Sequence, residues 1–174
     1  MLQDSLTIGV FLATLFNGPN GKAPETQWYV SHANNMEISN AEDNPVRSLP
    51  SCLIGFLDKD KTKIFLLSVS RLSTSIVLFD FSWPREPTVY HRRVVLSVDK
   101  SVLFDAEASQ DGALASFYIG HKDYRYFKEH LINGTTFKIG FPASRDAAWV
   151  VPIDDAVGSS FYKMDACLAD LNKD

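Results

Sequence analysis

Between Cys52 and Phe81 the chain alternates short apolar runs with polar breaks. The runs are Cys52 to Leu57 (CLIGFL), Lys63 to Ser70 (KIFLLSVS) and Ser75 to Phe81 (SIVLFDF), separated by Asp58–Lys61 and Arg71–Thr74. At six to eight residues, rich in β-branched and aromatic side chains, they read as strands joined by tight turns. An earlier strand opens at Trp28-Tyr29-Val30, after a polar linker from Lys22 to Glu25. Later strands are expected at Val94–Val98, Val102–Glu107, Leu114–Ile119, Thr136–Phe141 and Trp149–Val151. Val94, Leu96 and Val98 recur at period two, which places them on one face of a half-buried strand.

The period then lengthens. Tyr124, Phe127 and Leu131 fall at i, i+3 and i+7 within Lys122–Asn133, one face of a helix, and Asn133-Gly134 predicts a left-handed stop. From Ser159 onward, Phe161, Met164, Leu168 and Leu171 mark a second helical stripe, with Ser159 or Ser160 expected as N-cap. About eight strands with short connections and two late helices predict a β-rich α+β fold. The expected form is an antiparallel, β-sandwich-like single domain over residues 24–174, with both helices in its C-terminal half.

Residues 1–23 read separately. Leu6–Phe16 is an apolar run of eleven residues, too short to span a bilayer, which takes about 20 residues, and of the length of a secretory h-region. Gly21-Lys22-Ala23 offers small residues at a cleavage position. Against this, Asp4 precedes the run without any Lys or Arg, and Pro24 would follow the cut. A signal peptide and an N-terminal apolar segment of the fold both remain open.

Composition narrows the class. The chain has 174 residues, 45% of them hydrophobic and 12% aromatic, so it is not a disordered polymer. Lys plus Arg number 17 against 21 Asp plus Glu, for a net charge of −4, which argues against a nucleic-acid partner. Two cysteines are too few for a disulfide-dense scaffold or a four-cysteine zinc site. Cys52 and Cys167 either pair in an oxidising compartment or stay as separate buried thiols.

Candidate chemistry is sparse. His32, His91, His121 and His130 include no i, i+4 pair, so no helix presents a two-histidine metal grip, and no metal or cofactor is expected. There is no Gly-x-Ser-x-Gly elbow and no glycine-rich phosphate loop. A dispersed hydrolase site would draw on His91 or His121 as base, with Ser159 as nucleophile. Exposed amides at Gly158-Ser159-Ser160 could hold an anion, although capping alone accounts for them. Tyr90, Arg92 and Arg93 form the compact basic-aromatic cluster and are the partner-binding candidates.

In order of features the chain resembles the invasion-associated locus B family of small bacterial periplasmic proteins. An apolar N-terminal run precedes a strand opening Trp28-x-Val30, and Cys52 leads into hydrophobic strands. Val94–Asp99 ends in an acidic turn, a short helix leads into Gly134-Thr135-Thr136-Phe137-Lys138-Ile139, and Gly158-Ser159-Ser160 opens a last helix. The likeness covers Trp28 to Leu171. It departs from the family in its few cysteines and in its uncharged N-terminal run. The resemblance implies an exported, β-rich, non-catalytic protein of the cell envelope and carries over no catalytic residues. The expected activity is recognition of a protein or envelope component by a periplasmic or secreted protein, without a membrane span. A small hydrolase and an immunity or inhibitor protein are the alternatives.

Overall fold

The structure is a computed structural model that describes residues 28–33, 50–60, 62–83, 90–142, 144, 146–171 and 173. The apolar run Leu6–Phe16 and the expected cut after Ala23 lie outside the described residues. Among the described residues nine strands and two helices follow in chain order: β1 (Trp28–Ala33), β2 (Ser51–Leu57), β3 (Lys63–Ser70), β4 (Thr74–Asp80), β5 (Tyr90–Val98), β6 (Ser101–Asp111), β7 (Leu114–Ile119), α1 (His121–Asn133), β8 (Thr136–Gly140), β9 (Trp149–Pro152) and α2 (Asp155–Leu171).

The expected β-rich, antiparallel character and the two late helices are present, but the sandwich needs correcting. All nine strands join one sheet in the order β1-β2-β3-β4-β7-β6-β5-β8-β9, every neighbour antiparallel. The pairing of β4 with β7, and of β5 with β8, welds what would have been two sheets into one. A twisted sheet of this width curls. Here its two edges meet: the Trp28 indole N–H on β1 donates to the Pro152 carbonyl on β9 at 3.2 Å. The result is nearly a barrel.

Its concave side holds the main core. Phe65 on β3 and Phe137 on β8 are far apart in strand order, yet their ring centroids lie 5.1 Å apart. Phe127 of α1 sits 6.1 Å from Phe65, 5.6 Å from Phe137 and 5.7 Å from Phe104 of β6. The helix stripe Tyr124, Phe127 and Leu131 is buried against this cluster, as its spacing required. From α2, Val157, Phe161, Met164 and Cys167 are buried in the same core, against β1, β2 and β3.

Strands β2 to β4 are apolar on both faces. Cys52, Ile54, Phe56, Phe65, Leu67, Ile76 and Leu78 face the main core, while Ile64, Leu66 and Val77 form a second buried cluster with Leu57, Phe79 and Leu114. That is why these segments read as continuous hydrophobic runs. By contrast β5 alternates, with Val94, Leu96 and Val98 buried between more open positions.

Between β6 and β7 the ladder is short, running only through Ser109–Ser116, Gln110–Ala115 and Asp111–Leu114. Beyond it the strands part, and Phe104 from β6 meets Phe127 of α1, which starts directly after β7. A bulge sharpens the bend there: Leu96 pairs with Phe104 but Ser97 with Val102, leaving Leu103 unpaired.

Both expected helix signals at glycine need revision. Gly134 ends α1 in an extended conformation (φ −91°, ψ 177°), not a left-handed one. Its lack of a side chain matters for space instead, because a Cβ would lie 2.2 Å from Val98 Cγ1 and 2.9 Å from the His130 carbonyl oxygen. Likewise α2 begins one turn before the expected serine cap. Asp154 caps it, accepting the Ala156 amide at 3.0 Å, so Gly158, Ser159 and Ser160 are helical and offer no free amides to an anion.

A polar latch holds the far end of the β5–β6 hairpin. Asp99 turns the chain with φ 52°, and its carboxylate accepts the Thr135 hydroxyl at 2.6 Å and the Thr136 amide at 3.0 Å. The Asp99 amide donates to the Thr136 carbonyl at 2.8 Å. The Thr135 hydroxyl, with help from both backbone amides and against some desolvation, holds the Asp99 carboxyl below the usual carboxylate range.

Two outcomes follow for stability. Phe65→Ala empties the centre of the aromatic cluster and is expected to cost about 3–5 kcal/mol, read as a lowered urea midpoint. For Asp99 a lowered folded-state pKa means the latch stabilises at pH values above the unfolded value of about 3.9 and is lost as pH falls through the folded value. Asn tolerates the left-handed backbone but lacks the charge. Asp99→Asn is therefore expected to be less stable than the parent at neutral pH, with the gap closing below about pH 4 in a series of urea titrations.

Candidate functional site

Around the first turns of α1, the last turns of α2 and the β3–β4 turn runs a groove of about 550 Å³, lined by Val69, Ser70, Arg71, His121, Tyr124, Arg125, Lys128, Asp165, Leu168 and Leu171. Its position follows from the helix stripes. Burying Tyr124, Phe127 and Leu131 leaves His121, Arg125 and Lys128, at i, i+4 and i+7, along one flank of α1.

One end of the groove is closed by an ion pair. The Lys128 ammonium donates to Asp165, and the Tyr124 phenol donates to the same carboxylate at 3.4 Å. Burial pushes the Tyr124 phenol well above its ordinary pKa, and the negative charge on Asp165 adds to the shift, so the hydroxyl stays protonated. At the other end Arg71 Nε donates to the Leu171 carbonyl at 2.6 Å, with Nη2 on the same oxygen. A cation at the C-terminus of α2 also suits the helix dipole. The His121 ring is held between the Arg71 carbonyl, 3.1 Å from Nε2, and the Thr74 hydroxyl, 3.4 Å from Nδ1. A carbonyl only accepts, so Nε2 carries a proton in this contact.

The hydrolase candidates are not joined to one another. His121 is bonded as described, and the Ser159 hydroxyl donates to the Ala156 carbonyl of its own helix at 3.0 Å. His91 lies exposed on β5, opposite Ser109. No cluster of three metal-ligating side chains occurs among the described residues.

The candidates Tyr90, Arg92 and Arg93 are placed on β5 as an extended strand requires, with the two arginines on opposite faces. Arg93 points outward and grips Asp105 of β6 through Nε at 2.8 Å and Nη2 at 2.6 Å. This hydrogen bonding raises the Arg93 pKa and lowers that of Asp105. Arg92 turns inward: its side chain is 11% exposed, with its guanidinium 4.4 Å from the Trp83 ring centroid, 5.3 Å from Phe141 and 5.9 Å from Tyr90. Nη1 donates to Asp146 at 2.6 Å, and that carboxylate also accepts the Ser144 hydroxyl at 2.7 Å. Trp83 and Phe141 pack in turn on Trp149. Both arginines are thus engaged within the fold.

Arg71, Tyr124, Arg125, Lys128 and Asp165 carry no motif in the sequence. The cationic spacing of His121, Arg125 and Lys128 beside the apolar stripe is the one local signal that marks them. Nothing local ties Arg71 or Asp165 to that flank.

Replacing Arg92 tests its structural role. Arg92→Ala removes a desolvated cation–π contact and a charged hydrogen bond, an expected loss of about 2–4 kcal/mol. Arg92→Lys retains the charge without the planar group and is expected to lose less. Urea unfolding monitored by tryptophan fluorescence reads both; an unchanged midpoint for Arg92→Ala would free the residue for partner contact.

The chain matches no protein-family model and no curated protein. Among solved structures it is similar to the crystal structure of invasion associated protein B from Bartonella henselae, at 12% sequence identity and a TM-score of 0.48, covering 85% of this chain and 95% of that one.

Proposed function

We propose that this is an exported protein, periplasmic or secreted, that acts by recognising a partner at its surface and carries out no turnover. The observation that carries the reading is the Cys52–Cys167 disulfide, which joins β2 to α2 across 115 positions with Cα atoms 6.1 Å apart. Both residues are buried, Cys52 completely. Structural disulfides persist in oxidising compartments and are rare in the reducing cytosol. A bridge closing so long a loop stabilises the fold by roughly 4–5 kcal/mol in the chain-entropy account.

The side chains with chemical capacity support recognition over catalysis. His121 is held by Thr74 and the Arg71 carbonyl, and Ser159 by its own helix. Neither offers the other a proton path. Among the described residues no helix is long and apolar enough to cross a membrane.

Protein recovered from its natural host is expected in the exported fraction, with its N-terminus near Pro24 and no thiol open to alkylation until a reductant is added. Mass spectrometry after alkylation and N-terminal sequencing read both. Two freely alkylated cysteines on a chain that keeps Met1 in the cytoplasm would overturn the proposal. Reduction of the bridge is expected to lower the urea midpoint by the equivalent of several kcal/mol.

A further inference from the structure

We propose that the groove between α1, α2 and the β3–β4 turn binds a small amphiphilic anion, a carboxylate carried on a short hydrocarbon chain. This deepens the recognition reading and rests on it by naming what one surface would hold.

The groove joins two kinds of surface. Its floor is apolar, formed by Val69, Leu168, Leu171 and the ring of Tyr124, all buried or half-buried. Its rim is cationic: Arg71, Arg125 and Lys128 outnumber the single carboxylate of Asp165, on a chain whose net charge is −4. A volume of about 550 Å³ falls within the range that small-molecule sites occupy, roughly 300–1,000 Å³.

The charges are not equivalent. Lys128 and Tyr124 already satisfy Asp165 at one end, which neutralises the groove there. At the other end Arg71 directs Nε and Nη2 to Leu171, and Nη1 has no partner among the described residues. The exposed Arg125 guanidinium likewise has none. The open donors are therefore Arg71 Nη1, on the residue whose carbonyl meets His121, and the Arg125 guanidinium, one helical turn along α1 from His121. A planar carboxylate matches guanidinium donors there, while its hydrocarbon tail lies over Leu168 and Leu171. Neither a bare anion nor an uncharged hydrocarbon uses both halves of this surface.

The test is a titration of the disulfide-intact, ¹⁵N-labelled protein with octanoate, followed by amide chemical shifts. The expected result is a saturable shift at His121, Arg125, Leu168 and Leu171. Octanol, which lacks the charge, and inorganic phosphate, which lacks the tail, are each expected to bind more weakly. Arg125→Glu, a change at an exposed position that leaves the core untouched, is expected to weaken octanoate binding about tenfold or more. Absence of a saturable shift, equal binding of octanol, or an unaltered affinity in Arg125→Glu would each overturn the proposal. So would binding of an acidic peptide in place of octanoate. Failure of octanoate with the disulfide intact removes this ligand and leaves export standing. Free thiols on a cytoplasmic chain that keeps Met1 remove export, and the titration still decides the groove.

Discussion

The contact between Phe65, Phe127 and Phe137 is the constraint from which the rest of the structure follows. A nine-stranded antiparallel sheet cannot stay flat, because each strand carries a right-handed twist into the next. Once it curls, its concave side must be filled or the apolar residues of β2, β3, β5 and β8 would line a void. Phe65 and Phe137 reach across from opposite flanks of the curl, and Phe127 enters from α1 to complete the packing. The meeting of the edge strands at Trp28 and Pro152, and the seating of both helices, are consequences of that filled interior.

Placing α1 in the core also decides where its charges go. A helix that buries one stripe must present its flanks, and here one flank carries His121, Arg125 and Lys128 toward the end of α2. The disulfide holds α2 against β2, so the opposing wall, with Leu168, Leu171 and Asp165, is fixed in place. The groove is therefore a by-product of core packing that has acquired an uneven charge distribution. The two arginines of β5 illustrate the opposite case. Both are conspicuous in the sequence, yet Arg92 is taken into the ring-lined site around Asp146, while Arg93 pairs with Asp105 on the exposed face.

Much of the architecture was readable from local pattern. Each strand overlaps a segment that β-branched and aromatic runs predicted, alternating in β5 and continuously apolar in β2 to β4, although β5 and β6 extend about four residues past their expected ends, to Tyr90 and Asp111. The stripe of α1 was equally plain. Errors gathered at the boundaries, where non-local contacts overrule local preference. Gly134 looked like a left-handed stop and is instead a gap left for Val98, while Asp154 and not a serine caps α2. The joining of all the strands into one sheet, where a sandwich-like form was expected, also has no local signal. Whether hairpins join edge to edge or stack face to face depends on pairings such as β4 with β7, which join segments far apart in sequence.

By itself the sequence determined the class of most elements, the face that α1 buries and the scarcity of catalytic motifs, since each of these follows from the spacing of neighbouring side chains; in α2 the buried face turned toward Val157 and Cys167, leaving Leu168 and Leu171 half-buried. Only the tertiary structure decided that Cys52 lies within bonding reach of Cys167, that Arg92 sits over Trp83, and that Arg71 closes one end of a groove whose other end is Asp165. Those pairs lie far apart along the chain, and a distance between them exists only after the sheet has curled around the two helices.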